Sequence, residues 1–593
     1  MSTAYVPQQP QQPHGGAPQE PPPVPPYASE ATRLLCAGVY LDSGYRDRVI
    51  DELYLDQQRI VAPSLGFDAA RVLAHALRAR RHELLWAAAV IGLWVVGILL
   101  SGGLLAFFLW PSVLLALAPW IRGRAERPPL HRRLVAFLAR WWGRVQLALF
   151  TFYLIAYAFS FGDGSDGGFS SGPSDGYYGG YGDYGSDGAD WRDVTDVLVP
   201  SGDDGLIEVW QAWFGLAVLV LIGLCVAAQR SQFARALAAE LSPQRFPDAA
   251  SDPAEKAEGT RFQRLMRRIR LEQHAPLIMY DEKHPFCGAG AAYDTWVLAV
   301  ELRPDDEKKQ QPLSNRAILD RVRPLIEQLR LPSEYAGAGV RDRLRRLEVD
   351  ECVFLPVEGL LDREQAPYGP ESFEQHRTSA VEEGAEKRRH FLRIRVGGWE
   401  EELVVTVFVR LHTQGRMLML EIAPHVLTPV RADFKDADRT SHRFRNNNVL
   451  GKAAGAAVLV PGSVGRSLVT LGRGLVYGWR LLTGGHAGAL PAGPAVSVRE
   501  LAATPAGSTF QEMDVSRYLR SIQDRVSHGV RLALGDAGFE TGEFVQKIVN
   551  LSNGSTYIGN AEGATFAVGD KSHVSSTTGG PAPQKGSGSN GAE

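Results

Sequence analysis

Three long stretches of this chain carry almost no polar residue, and they set the first expectations. Residues 84–120 read LLWAAAVIGLWVVGILLSGGLLAFFLWPSVLLALAPW, 37 positions without a charge. A hydrocarbon core about 30 Å thick is crossed by about 20 helical residues, so this run is too long for one span. Ser101-Gly102-Gly103 near its middle supplies a tight turn, which predicts two short helices over 84–101 and 103–120. A buried soluble hairpin is excluded because so long an uncharged run has no polar face. VQLALFTFYLIAYAFSF within 143–161 and LIEVWQAWFGLAVLVLIGLCVAA over 206–228 give a third and a fourth span.

Elsewhere the pattern is periodic. Over 29–82, Leu34, Leu35 and Val39, then Val49, Ile50 and Leu53, recur at helical spacing and predict a helical subdomain. QFARALAAEL and RFQRLMRRIRL predict a basic helical stalk over 229–272, suited to anionic lipid. Residues 273–428 read as an α+β domain with strands at 277–281, 296–302, 351–357, 391–396, 401–411 and 416–427 and a helix around 314–330. FLRIRV sets Arg393 and Arg395 against Leu392, Ile394 and Val396, so one face is wet. The next two strands are apolar on both faces, as in strands covered on both sides. Gly397-Gly398 and Gln414-Gly415 mark the hairpin turns. The expected fold class is therefore four transmembrane α-helices plus a cytoplasmic α+β domain, an antiparallel sheet with packed helices, between disordered termini.

A polar connector, 429–509, follows. Within 464–483, Arg466, Arg473 and Arg480 share one side of a helix while Leu468, Leu471, Leu475 and Leu482 form another stripe. That predicts an interfacial amphipathic helix on the inner leaflet. Glycines 472, 474 and 478 oppose it, each costing about 1 kcal/mol relative to alanine, so a loop packed on the sheet domain is the alternative. Residues 510–551 are expected to be helical, with Val515, Leu519, Ile522, Val526 and Val530 on one face. Residues 552–572 hold a near-repeat, TYIGN and TFAVGD, that reads as two short strands ended by turns. An isolated pair of this kind would need a sheet edge, another copy of the chain or a partner; a weakly ordered tail is the alternative. Residues 1–28, rich in Pro and Gln, and 573–593 are disordered by composition.

Charge orients the spans. The net value of −3 hides strong segregation. Arg78, Arg80 and Arg81 precede the first span, arginines crowd the loop 121–142, and Arg230 follows the fourth. Segment 162–205 holds ten aspartates and one arginine. Positive residues stay inside, so both termini are expected in the cytoplasm and 162–205 outside. The first residues lack a basic n-region ahead of an apolar stretch, so no secretory signal peptide is expected.

Candidate chemistry is sparse. An EF-hand counted from Asp163 needs Glu at its twelfth place and meets Ser174. Gly172 to Gly176 matches GxSxG, yet nothing there supplies the strand-to-helix elbow that motif requires. The cysteines, Cys36, Cys225, Cys287 and Cys352, are too scattered for a zinc cluster or a disulfide framework, and free thiols are expected. No two histidines fall three to five apart, and no P-loop is present, so no metal or cofactor is expected. Only HPFCGAG (284–290) could carry chemistry. Cys287 could be a nucleophile, His284 its base, and the glycines could turn N–H groups toward an oxyanion or phosphate. The plainer reading is a loop with an inward cysteine and a solvated histidine. Glu208 is the one ionisable group near a span, at its outer end, which argues for anchoring over transport.

TRLLCAGVYLD near the start, the four spans, HPFCGAG before a strand, and SRYLRSIQDRV leading to a Gly/Asn-ended tail give the chain a likeness. It resembles uncharacterised actinobacterial multi-pass membrane proteins over most of its length, a resemblance that implies no catalytic residue. The expected function is a membrane-anchored scaffold or sensor, not an enzyme, whose α+β domain and tail bind cytoplasmic protein partners or another copy of the chain. The lipid bilayer is the other partner, and nucleic acid is not expected. The alternative is a membrane-tethered enzyme or small-ligand receptor centred on His284–Gly290, and a transporter or channel subunit comes third.

Overall fold

The computed structural model describes residues 24–122, 129–160, 209–256, 259–331, 344, 346–383, 385–399, 402–484 and 489–544. The expected outer loop 162–205, the near-repeat 552–572, the end 573–593 and most of 1–28 lie outside them.

Helices dominate the first half. α1 (Glu30–Leu41) gives way to α2 (Ser43–Ile50) at Asp42, whose carboxylate caps the N–H groups of Gly44 and Tyr45. α3 (Ala69–Leu100) begins at Asp68, which caps Ala70, and runs unbroken for 32 residues. It stops where the sequence predicts: Gly102 and Gly103 take φ values of 63° and 89°, a region that glycine enters without strain. The second expected span differs. Leu104–Phe108 forms a 3-10 turn, and only then does α4 (Leu109–Arg122) begin. α5 (Leu130–Ser160) also starts well before residue 143, because the arginines there are good helix formers and do not end a helix. α6 (Val209–Arg235) follows.

Four spans were expected; among the described residues two helices, Ala69–Leu100 and Trp210–Glu240, are long and apolar enough to cross a membrane. Leu104–Leu115 is a shorter apolar helix. α5 has Arg140 and Arg144 within it, which shortens its apolar run.

The second half is built on a sheet. α7 (Thr260–His274) leads into β1 (Leu277–Tyr280), β2 (Ala291–Ala292) and β3 (Trp296–Glu301). Then come α8 (Asn315–Glu327), β4 (Leu347–Pro356), α9 (Pro370–Glu383), β5 (Arg389–Gly398), β6 (Leu403–Gln414) and β7 (Met417–Leu427). The order is β1-β4-β5-β6-β7, with both β2 and β3 on the far edge of β7. The sheet is mixed rather than antiparallel throughout: β1 lies parallel to β4, with Leu277 beside Val353. β6 is central, as its two apolar faces required, and residues 403–412 are buried. Gly415, at φ 63°, closes the β6–β7 hairpin.

Four longer helices, α10 (Ala437–Asn446), α11 (Val449–Ala457), α12 (Ser463–Leu482) and α13 (Thr509–Asp536), and two single turns of helix, Ala432–Lys435 and Val498–Leu501, complete the described chain. α13 packs with α8 on one sheet face. The stripe anticipated from sequence, Val515, Leu519, Ile522, Val526 and Val530, lies in one apolar core with Val405, Val407 and Val409 of β6. A different core joins α1 to α3 with Ala236, Leu237, Met266, Ile269, Phe434 and Val498. The N-terminal helices and the basic stalk are thus packed as one body, which their separation in sequence did not suggest.

Candidate functional site

The HPFCGAG loop lies between β1 and β2. Backbone bonds from Cys287 N–H to the His284 carbonyl and from Ala289 N–H to the Phe286 carbonyl fold it into successive turns. Phe286 anchors it to the second face of the sheet. Its ring centroid sits 4.8 Å from Phe408, 5.3 Å from Phe354 and 5.7 Å from Phe391. Such rings contribute both buried area and favourable edge contacts.

The glycines have conformational work to do. Gly288 and Gly290 adopt φ values of 98° and 97°. A Cβ on Gly288 would come 2.6 Å from the Pro63 carbonyl oxygen, and one on Gly290 would run into the Val426 carbonyl. Only glycine meets both demands.

The loop's N–H groups do point at an anion, and it belongs to the chain itself. Glu500 Oε1 accepts from Gly288 N–H at 2.8 Å and from Gly290 N–H at 2.9 Å. The Cys287 thiol lies 4.0 Å from Glu500 Oε2. Burial first, then the neighbouring Glu500 carboxylate, push the Cys287 thiol far up. It therefore stays protonated near neutral pH, whereas attack needs the thiolate. His284 is exposed, and the thiol faces Glu500 rather than the imidazole.

A cleft of about 600 Å³ opens beside the loop, bounded by His284, Cys287, His425, Thr428, Glu500 and Thr504. His425 is buried against Phe286, ring centroids 4.6 Å apart, and its Nδ1 lies 3.2 Å from the Ala423 carbonyl oxygen. Burial outweighs that bond and lowers its pKa to about 4, so the imidazole is neutral at pH 7. The cleft thus offers a carboxylate already bonded to the backbone, a protonated thiol and a neutral imidazole. That arrangement latches the loop to the Val498–Leu501 turn.

Two charged clusters escaped the sequence reading. Asp252 takes Arg71 at 2.7 Å and His75 Nε2 at 3.0 Å, and Tyr40 Oη lies 3.2 Å from His75 Nδ1. Burial pushes the Asp252 carboxyl up, but the bonds from His75 and Arg71 outweigh it and hold it low. The cluster ties the segment around Asp252 to α3. On the sheet, Glu351 meets Arg316, Arg377 and His390. Against a burial term that raises it, bonds from His390 and Arg377 bring its pKa down to about 2. Both carboxylates are satisfied by cations from elements distant in sequence, so no local motif marks them.

A larger cleft, about 920 Å³, separates α2 from α12. Its arginines are mostly paired: Arg431 with Asp42, Arg80 and Arg473 with Asp47, and Arg480 with Asp51. Among the described residues no group of three or more His, Cys, Asp or Glu side chains could hold a metal ion. All four cysteines are free.

Residues 295–564 match the model of the AbeC-like domain. The match takes in β3 to β7, α8 to α13 and Glu500, and begins just after the HPFCGAG loop. No curated protein and no solved structure matches the chain.

Proposed function

We propose that this protein is a non-enzymatic, membrane-anchored scaffold or sensor, held by four helices with both termini in the cytoplasm. Its α+β body and tail present binding surfaces to cytoplasmic proteins. The carrying observation is the continuity of α3. Its first turns, including Ala70, Leu73 and Ala76, are fully buried in the core of the body. From Leu84 onward it bears no charge, and Leu85, Val95, Val96, Leu99 and Leu100 stand exposed. One end of the rod is satisfied by protein, and the other calls for hydrocarbon. α6 repeats the arrangement in reverse: Val220, Leu221 and Leu224 are exposed, while Ala236 and Leu237 just beyond its end lie in the same core.

The loop geometry speaks against nucleophilic catalysis at Cys287, since the thiol is protonated and the loop amides are occupied by Glu500. The test is in-cell crosslinking of the full chain and of a chain lacking 550–593, with captured proteins identified. The expected outcome is a defined set of cytoplasmic proteins that shrinks when the tail is removed. An identical set from both would remove the tail from the proposal, and no protein above background in either would sink the scaffold reading.

A further inference from the structure

From sequence, 464–483 reads as an interfacial amphipathic helix or as a loop packed on the sheet domain; in the structure Ser463–Leu482 is a helix that follows α11. α11 and α12 form a hairpin with its turn at 458–462. α11 runs along α6. A Cβ on Gly455 would lie 3.8 Å from Arg230 Nη1, and one on Gly223 would lie 3.6 Å from Val460 Cγ2 at the turn, so each glycine sits next to the other helix. Between Arg230 and Gly223, α6 rises about 10 Å at 1.5 Å per residue. α12 returns along α3: Val464 belongs to one apolar cluster with Val90, Trp94, Val218 and Ile222, whereas Gly474 packs directly on Leu84. Leu84 is where the uncharged run of α3 begins. The hairpin turn is therefore level with the middle of the apolar rods, and its two ends are level with their arginine-bearing bases.

Composition fits that depth. Between Lys452 and Arg466 no residue is charged, a run of the length found in re-entrant segments. Val458 at the turn and Leu468 and Leu475 on the return stay exposed among the described residues, Val458 to 79%.

Non-helical backbone in hydrocarbon needs its carbonyls paired, and here the Val460 and Gly462 carbonyls already accept from the Ser463 and Arg466 backbone N–H groups, to which side chains add further bonds. Ser463 donates its hydroxyl to the Val460 carbonyl at 2.6 Å. Arg466 folds back to donate to the Leu459 carbonyl at 2.8 Å and to the Gly462 carbonyl at 3.2 Å. Pro461 removes one N–H that would otherwise need an acceptor.

We propose that residues 449–482 are a re-entrant hairpin that enters the cytoplasmic leaflet beside α3 and α6 and turns within it, with lipid acyl chains as the partner of its exposed face. The proposal rests on the membrane-anchor reading above. Of the arginine stripe seen in sequence, Arg466 caps the turn, and Arg473 and Arg480 bind Asp47 and Asp51 at the level of the bases.

The test places a benzophenone amino acid singly at Val458, at Leu99 on α3 and at Met513 on α13, an exposed control on the body. The full chain is reconstituted in phosphatidylcholine–phosphatidylglycerol vesicles and irradiated. Adducts are examined after phospholipase cleavage of the headgroup. Val458 and Leu99 are expected to retain acyl chains at comparable yield, and Met513 none. Acyl capture at Leu99 with none at Val458, or capture of headgroups only at Val458, would overturn the hairpin and leave the anchor standing. No acyl capture at either position would overturn both. With Arg466→Ala, the Val458 yield is expected to fall severalfold while Leu99 holds; an unchanged Val458 yield would remove the capping role of Arg466.

Discussion

Glu500 and His425 show what single residues reveal and conceal. The glycine loop was legible as a place where N–H groups would face an anion, because Gly-rich backbone at positive φ does that. Its occupant was not, since Glu500 lies 210 residues from Gly290 and nothing nearby announces it. His425 makes a measurable prediction. An unfolded chain protonates this residue near the ordinary value of about 6.5, whereas the folded one does so at about 4. Between those values acid favours unfolding. The stability His425 allows is complete above about pH 6.5 and is lost as the pH falls toward 4, on the order of 3 kcal/mol. His425→Phe, placed among Phe286 and Phe408, should flatten the fall in Tm across that window. Parallel curves for the two proteins would show that His425 is not the group responsible.

At the scale of elements, alternation and 3.6-residue periodicity carried most of the information. β5, β6 and β7 fall where the pattern put them, and the buried face of α13 is the one its spacing named. The parallel β1–β4 pair was not legible: each strand alone looks the same in either direction, and the choice is set by the helix and loops between them. α13 also owes its start to a local signal. Ser508 Oγ accepts from the Gln511 N–H, and Gln511 Oε1 accepts from the Ser508 N–H, a reciprocal cap. Ser508→Ala should cost about 1 kcal/mol, read as a lowered Tm of the sheet body in detergent. An unchanged transition would mean that packing on α8 alone holds the helix end.

For the whole molecule, sequence marked the apolar rods but not how protein closes around them. Segments 29–82, 229–272 and the connector look independent along the chain, yet α1, α3, Met266, Phe434 and Val498 share one core. Contacts between segments so far apart leave no periodic trace. Orientation remains the prediction at this scale. A cysteine at Ser171 should react with an impermeant reagent in intact cells, and one at exposed Ser251 should react only after lysis; the opposite pattern would invert the proposed topology. The unbroken course of α3 then has a mechanical meaning. Thirty-two residues without a break make a stiff mast about 48 Å long, rooted in the body at one end. A span meets a thinner bilayer by leaning over, and a mast without a hinge cannot lean by itself. With α3 crossing a membrane as proposed, bilayer thickness would be converted directly into the attitude of the attached body.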